Sequence, residues 1–431
     1  MARSPFVDLP ALGSSWKSTT PSILMSYPIF CFWLICALLG ARLQAESVVV
    51  TLSSVSDRVR AQNPDLAAAR IRIKEAVGRM NQSGRLANPQ LETAFESKSA
   101  FREGKFEIGF SQRFPLTDRL RMAKEVSLTE LKSSEAEVRE AEREITADAR
   151  EAVVKVLATN QHRELLTQQV ALSKEFAAYL SDIATKGEGS VVDAGQAKLE
   201  AMSLGMEIRQ LDAAEASLIG ALKPLLGMRP GESLSLSGSL PEPKLPEGRV
   251  NLSRRPDFQV AKLNAQAAAQ GVALEQSRRY EDVEGGLFAA AERSEDAPNG
   301  YDNEAIVGLR FKIPLPFWNK NEGAIQEAVA RKERKELAAV ALGRNIRLEA
   351  EAARAEMIQW ANMIREINDT LLPLAKAQLA LAETTYRKGQ GEIQSVLRSR
   401  EKRLQLSAAK LDALREFHLA RLRHETALGN P

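Results

Sequence analysis

The sequence predicts a mainly helical chain with four amphipathic strands, arranged as two tandem copies of a strand–strand–helix–helix unit, and three observations predict it. Residues 117–186 contain neither glycine nor proline, a run too long for anything but a helix. Segments 106–114 and 307–313 alternate apolar and polar residues with a period of two. Short segments also recur in the same order. Asn63-Pro64-Asp65-Leu66 returns as Arg255-Pro256-Asp257-Phe258, IGFSQRFPL at 108–116 as VGLRFKIPL at 307–315, and KGEGS at 186–190 as KGQGE at 388–392. The separation from Gly187 to Gly227 equals that from Gly389 to Gly429, so spacing is kept as well as order.

Composition sets the class. The chain is 44% hydrophobic and 27% charged with only 5% aromatic residues, which fits long charged helices around a folded core. Its 59 basic and 56 acidic side chains nearly cancel, so no nucleic-acid partner is expected. Cys31 and Cys36 are the only cysteines, which excludes a disulfide framework or a Cys metal site in everything that follows them. Both lie in the apolar stretch 23–41, which follows Arg3 and Lys17 and precedes Leu43-Gln44-Ala45. Residues 1–45 therefore read as a signal peptide cleaved after Ala45. The alternative is an uncleaved anchor, since about 19 apolar residues just span a bilayer. Lipid attachment is disfavoured by the large Phe30 and Ile35 before the two cysteines. Past Glu46 no apolar run is long enough for a spanning helix, so any membrane crossing must use strands.

The elements follow in order. The first unit, 46–227, holds a helix near 64–86, strands 90–98 and 105–114, and helices 117–186 and 190–226. A Pro-, Gly- and Ser-rich linker covers 228–254. The second unit, 255–431, repeats the pattern with a helix near 256–278, strands 283–292 and 304–313, and helices 320–388 and 392–428. Leu131, Val138, Ile145 and Ala152 recur at seven-residue spacing, while Asp148 breaks the second seam of a strict heptad. Ala353, Met357, Trp360, Ile364, Ile367 and Leu371 alternate steps of four and three, with bends expected at Gly343 and Pro373. Outgoing helices of roughly 100 Å exceed returning ones of roughly 55 Å at 1.5 Å per residue. The 64–86 and 256–278 helices supply the difference if each stacks end to end on a returning helix, which gives a long helical barrel wall.

The strands carry the membrane argument. Phe106, Ile108, Phe110 and Phe114 alternate with Glu107, Gly109, Ser111 and Arg113, and Val307, Leu309, Phe311 and Ile313 with Gly308, Arg310 and Lys312. Leu91, Phe95 and Leu287 belong to the apolar side of the partner strands. Each strand has about the ten residues a tilted membrane strand needs. Four strands cannot close a barrel, and an open edge in lipid leaves backbone groups unpaired at several kcal/mol each, so a spanning sheet must oligomerise. The alternative is a soluble four-stranded sheet with one wet face; export and the very long helices favour the membrane reading. Loops 99–104 and 293–303 are then the outer turns. Phe114, Phe317 and Trp318 fall where strand gives way to helix, at the expected inner interface of the membrane, with ordinary helix–sheet packing the alternative for Phe317.

The duplicated units, the segment IPLPFWNKNEGAIQEA at 313–328 and the glycine-containing tips at 186–190 and 387–392 resemble the TolC family of outer-membrane efflux proteins over about residues 50–430. The Pro-Leu-Pro-Phe-Trp segment particularly resembles the branch that works with heavy-metal resistance–nodulation–division (RND) pumps. The resemblance implies a homotrimer whose protomers each give four strands to a twelve-stranded β-barrel in outer-membrane lipid. The helices then form a periplasmic α-barrel, with the linker as an equatorial girdle. It also implies a periplasmic adaptor protein, met at the tip turns Gly187, Gly189, Gly389 and Gly391, and an inner-membrane RND-type pump that supplies the energy. The duct itself does no chemistry and needs no cofactor; heavy-metal ions are one candidate cargo.

By position, the resemblance assigns the closed gate to a hydrogen bond between Tyr386 and Asp193. The alternative is two surface side chains near a turn. The pattern also departs from the family. A gate arginine is Gly391 here, and acidic constriction positions are Ser395 and Arg398, which argues against a cation-binding ring. His162, His418 and His424 show no metal-ligand spacing, and Met202 and Met206 at i and i+4 read as core packing rather than soft ligands. No nucleophile elbow or phosphate loop is present. The rival class is a periplasmic coiled-coil adaptor or structural scaffold without channel activity, which would show one hairpin rather than two copies.

Overall fold

The computed structural model of the chain describes residues 48–98, 102–246, 248, 250–296 and 298–429; the expected signal peptide and part of the 99–104 loop lie outside the described residues. The chain opens with β1 (Val48–Val50), α1 (Val55–Gln62) and α2 (Pro64–Gln82). Asn63 divides the helices. Its backbone is extended, its Oδ1 accepts the Leu66 N–H at 2.8 Å, and Pro64 sits in the first turn, where its missing N–H is not needed. The hairpin β2 (Gln90–Ser97) and β3 (Gly104–Phe114) leads to α3 (Arg119–Thr185) and α4 (Val191–Leu225). After β4 (Leu234–Leu236) come α5 (Pro256–Ser277), β5 (Val283–Asp296), β6 (Gly300–Lys312), α6 (Glu322–Glu366), α7 (Leu372–Arg387) and α8 (Ile393–Ala427).

The length mismatch of the helices is met by stacking. At 67 residues α3 is roughly 100 Å long, whereas the 35 residues of α4 reach roughly 52 Å. Asn63 Nδ2 donates to the Leu225 carbonyl at 2.9 Å, tying the start of α2 to the end of α4. Gly227, at φ 65°, comes so close to the Gln62 carbonyl that a Cβ would lie 2.1 Å from it. At the second junction Arg255 Nη1 donates to the Thr426 carbonyl at 2.8 Å, which joins α5 to the end of α8.

The main core lies at the level of these junctions. Val50, Val55 and Val59 meet Val153 and Leu157 of α3, Leu222 and Leu226 at the end of α4, Met357 and Ile364 of α6, and Phe417 and Ala420 of α8. Each fully buried side chain of this size contributes about 1.5–3 kcal/mol. The linker wraps this level. β4 pairs in parallel with β1, Leu240 is buried in the same core, and His418 Nε2 donates to the Pro241 carbonyl at 2.8 Å.

The structure corrects several details. The 131/138/145/152 seam of α3 is only half-buried apart from Val138; the deeper seam runs through Thr129, Ser133 and Ala136, with the Thr129 hydroxyl donating to Gln270 at 2.8 Å and the Ser133 hydroxyl to Asn264 at 3.1 Å on α5. Small residues let the two helices approach, and apolar periodicity does not register them. Gly343 lies inside the unbroken α6, where a Cβ would come within 3.1 Å of the Phe258 ring, so close packing against α5 accounts for the glycine. Pro373 is absorbed by one wide π turn, Ile367–Leu371, which accommodates the missing N–H. Finally, β5 and β6 continue through most of 293–303, pairing Arg293 with Asn303 and Glu295 with Tyr301. The Arg293 guanidinium, 4.5 Å over the Tyr301 ring, helps hold that polar extension.

Candidate functional site

Two surfaces stand out, the four-stranded sheet at one end of the helices and the paired tips at the other. The sheet is antiparallel in the order β2-β3-β5-β6, so β2 and β6 each present an edge without a partner in the protomer. Register puts alternate residues in cross-strand rows on one face. These rows are Phe95–Phe106–Ala291–Ala305, Thr93–Ile108–Ala289–Val307 and Leu91–Phe110–Leu287–Leu309, with Phe114 beside Val283 further down. The apolar face is the uncovered one. Phe106 and Phe110 are 49% and 52% exposed, whereas Glu107 and Ser111 on the opposite face are 9% and 8%.

That opposite face is polar and internally paired. Arg310 pairs with Glu107 and reaches Glu92 at 3.6 Å, Ser111 Oγ donates to Glu92 at 3.0 Å, and Arg113 meets Glu284 at 3.1 Å. The Arg310 guanidinium also lies 4.9 Å over the Phe288 ring. Eight residue steps from Phe106 to Phe114 make an apolar band of roughly 26 Å along the strand, about 20 Å high at a 40° tilt. Leu116, Leu315, Phe317 and Trp318 extend it past the strand ends, Trp318 being 97% exposed with its ring edge-on to Phe317 at 6.2 Å.

At the far end α3 turns into α4 and α7 into α8 through matched reversals. Gly187 and Gly389 take φ 78° and 69°, and the Glu188 and Gln390 N–H groups close the ends on the Ile183 and Thr385 carbonyls. Gly189 packs where a Cβ would meet Ile183, and Gly391 where it would meet Thr385. Ser190 Oγ accepts the Asp193 N–H at 3.4 Å, so Asp193 sits in the first turn of α4, where the helix dipole favours a carboxylate. Tyr386, in the last turn of α7, donates its hydroxyl to Asp193 Oδ2 at 3.1 Å. Burial, and then the Asp193 carboxylate, push the Tyr386 phenol up to about 12.

Sequence reasoning missed the neighbours of this pair. Phe176 of α3 stands edge-on to the Tyr386 ring at 6.5 Å, and the Arg400 guanidinium of α8 lies 4.0 Å over the Phe176 ring. No local pattern signals contacts between residues so far apart in the chain. Ser395 is exposed, and Arg398 donates only to the Gln394 carbonyl at 3.3 Å. Met202 and Met206 are not core. They line an open groove of about 1130 Å³ along α3 and α4 with Val191 and Leu199, because this face of α4 has no partner within the protomer. Among the described residues there is no group of three His, Cys, Asp or Glu side chains placed to hold a metal ion, and no helix long and apolar enough to cross a membrane.

A sheet with its apolar face outward, set on a long bundle of stacked helices, is the construction of an outer-membrane channel protomer. The family model described as outer membrane efflux protein matches residues 55–223. Over 399 residues, 88% of this chain and 87% of the relative, the sequence is 25% identical to the cobalt-zinc-cadmium resistance protein CzcC of Cupriavidus metallidurans. The fold superimposes on CusC, from a crystallographic study of folding and transmembrane channel formation, with a TM-score of 0.74 at 15% identity, covering 91% of this chain and 95% of that one. The outer membrane protein VceC of Vibrio cholerae matches at 0.68 and 23% identity, over 88% of this chain and 96% of its own. In part of its sequence and in its fold the chain is similar to TolC-like outer membrane efflux proteins.

Proposed function

We propose that this protein is the outer-membrane exit duct of a tripartite efflux system, passively conducting cargo delivered by an inner-membrane pump through a periplasmic adaptor. The observation that carries this reading is the inverted sheet: an uncovered apolar face, an ion-paired polar face and two unpaired edges. Lipid is the solvent that suits such a face, and pairing β6 of one copy with β2 of the next leaves no open edge. Three copies make twelve strands, with the polar faces around a water-filled lumen and the stacked helices continuing it as an α-barrel in the periplasm. The linker 228–254 is the girdle, and residues 1–45 are the export signal.

In this reading Phe114, Phe317 and Trp318 lie at the inner interface of the membrane. The turns at Gly187, Gly189, Gly389 and Gly391 face the adaptor, and the Asp193–Tyr386 hydrogen bond holds the tip closed. The cargo is divalent heavy-metal ions, an assignment that rests on similarity to the cobalt-zinc-cadmium resistance protein and on the IPLPFW segment. Deletion of the gene is expected to sensitise its host to cobalt, zinc and cadmium salts without altering sensitivity to organic dyes and detergents. The reverse pattern would overturn the metal assignment and leave the duct in place.

A further inference from the structure

The tip carries a second fastening that involves neither Tyr386 nor Asp193 directly. Arg400, on α8, donates from Nη2 and Nε to Glu383 Oε1 on α7 at 2.7 and 3.2 Å. Its guanidinium lies 4.0 Å from the centroid of the Phe176 ring on α3. The side chain is largely buried, and Nη1 has no hydrogen-bond partner. A desolvated cation in that position depends on Glu383 and on the electron-rich ring face, with the half-buried Glu200 carboxylate of α4 adding to the field around it. Phe176 also meets Tyr386 edge-on, and Tyr386 in turn holds Asp193 on α4. One aromatic ring thus joins two polar contacts, and between them they tie α3, α4, α7 and α8 together near the reversals. The apolar cluster at this level is built on Leu180, Ala197 and Ile393, with Phe176 and Tyr386 themselves packed against it, so the polar contacts lock side chains that also belong to the core.

We infer that Arg400 is a positioning residue of the gate, clasping α8 to α7 through Glu383 and to α3 through Phe176, and that Phe176 couples this clasp to the Tyr386–Asp193 bond. The inference rests on the duct reading and deepens it. Opening the tip moves α7 and α8 relative to α3 and α4, which separates Arg400 from the ring and lets water reach the guanidinium. Loss of either partner of Arg400 therefore favours the open tip.

The test is the leak conductance of the detergent-purified full chain in planar bilayers, with oligomer mass and thermal midpoint measured in parallel. R400A, which loses both contacts, is expected to raise the leak about 5-fold and E383A, which loses only the ion pair, by less, with the double variant no leakier than R400A. The charge-reversed pair R400E/E383R keeps the ion pair but sets a carboxylate against the Phe176 face, so it restores closure only in part. F176L, which stays apolar and loses the ring, raises the leak and blunts the further effect of Y386F. Thermal midpoints stay near the parent value, because the main core lies elsewhere. If R400A does not assemble, R400K decides, as it keeps charge and reach but not the planar stack. A parent-like leak in R400A, or in R400K where R400A does not assemble, while Y386F leaks overturns the clasp and leaves the gate in place. A parent-like leak in Y386F and D193A as well overturns the gate itself.

Discussion

Replacing Tyr386 by Phe removes one hydroxyl and leaves the ring, so its edge contact with Phe176 at 6.5 Å survives and only the 3.1 Å bond to Asp193 is lost. A phenol–carboxylate hydrogen bond is charge-assisted and contributes about 1.5–3 kcal/mol when shielded; the partial exposure of this pair reduces that to about 1 kcal/mol. At 1.4 kcal/mol per tenfold, one protomer's closed state loses about 5-fold in population, and three protomers opening together lose about 150-fold. The assay is single-channel recording at fixed salt, reading the fraction of time above the closed level. Ionisation of the phenol gives an internal control. Its pKa is raised, so the closed state's stabilisation is complete below the ordinary value near 10 and is lost as pH rises through about 12. The parent is therefore expected to open over that window and the Phe variant to show no such step. Unchanged opening in both Y386F and D193A would refute the reasoning.

On the sheet, V307K places a charge in the middle of the uncovered apolar face and is expected to cost about 2–4 kcal/mol per protomer in lipid, read as loss of assembled oligomer from the outer membrane. E304Q, on the polar face, leaves assembly unchanged. F417A empties a fully buried site in the main core and is expected to cost about 3–5 kcal/mol, measured as a lower thermal midpoint. G227A forces a Cβ against the Gln62 carbonyl at positive φ and is expected to destabilise the α2–α4 junction by more than about 1 kcal/mol, seen as faster proteolysis there. Burial holds His418 and His424 below the usual imidazole range, so the stability they contribute is complete above about pH 6.5 and falls as pH drops toward their folded values. The thermal midpoint should decline below pH 6.5, and less so in H418Q.

The elements legible in the sequence are those whose surroundings leave a periodic trace. Phe106, Ile108 and Phe110 alternate with polar residues because one face meets lipid and the other water in the proposed barrel, and the turns at Gly187 and Gly389 need positive φ. The seam of α6 and the π turn after it was legible because Ala353, Met357, Ile364 and Ile367 are buried apolar residues. The α3 seam was not, since it is made of Thr129, Ser133 and Ala136, which pack by being small and by hydrogen-bonding to α5. The upper part of the β5–β6 hairpin is polar on both faces and held by cross-strand pairing, so alternation ends before the strands do. The three-residue β1 and β4 are too short to show any period. Tyr386 and Asp193 came together only through resemblance, being 193 residues apart, and the Arg400 contacts had no local signal at all.

The central claim is that the exposed face of this sheet lies in lipid and that copies of the chain enclose a pore. It is tested most directly by extracting the protein from the outer membrane in detergent, weighing the oligomer and recording it in a planar bilayer. The account predicts a trimer that gives discrete, small conductance steps. A monomer that stays soluble without detergent and carries no current would contradict it.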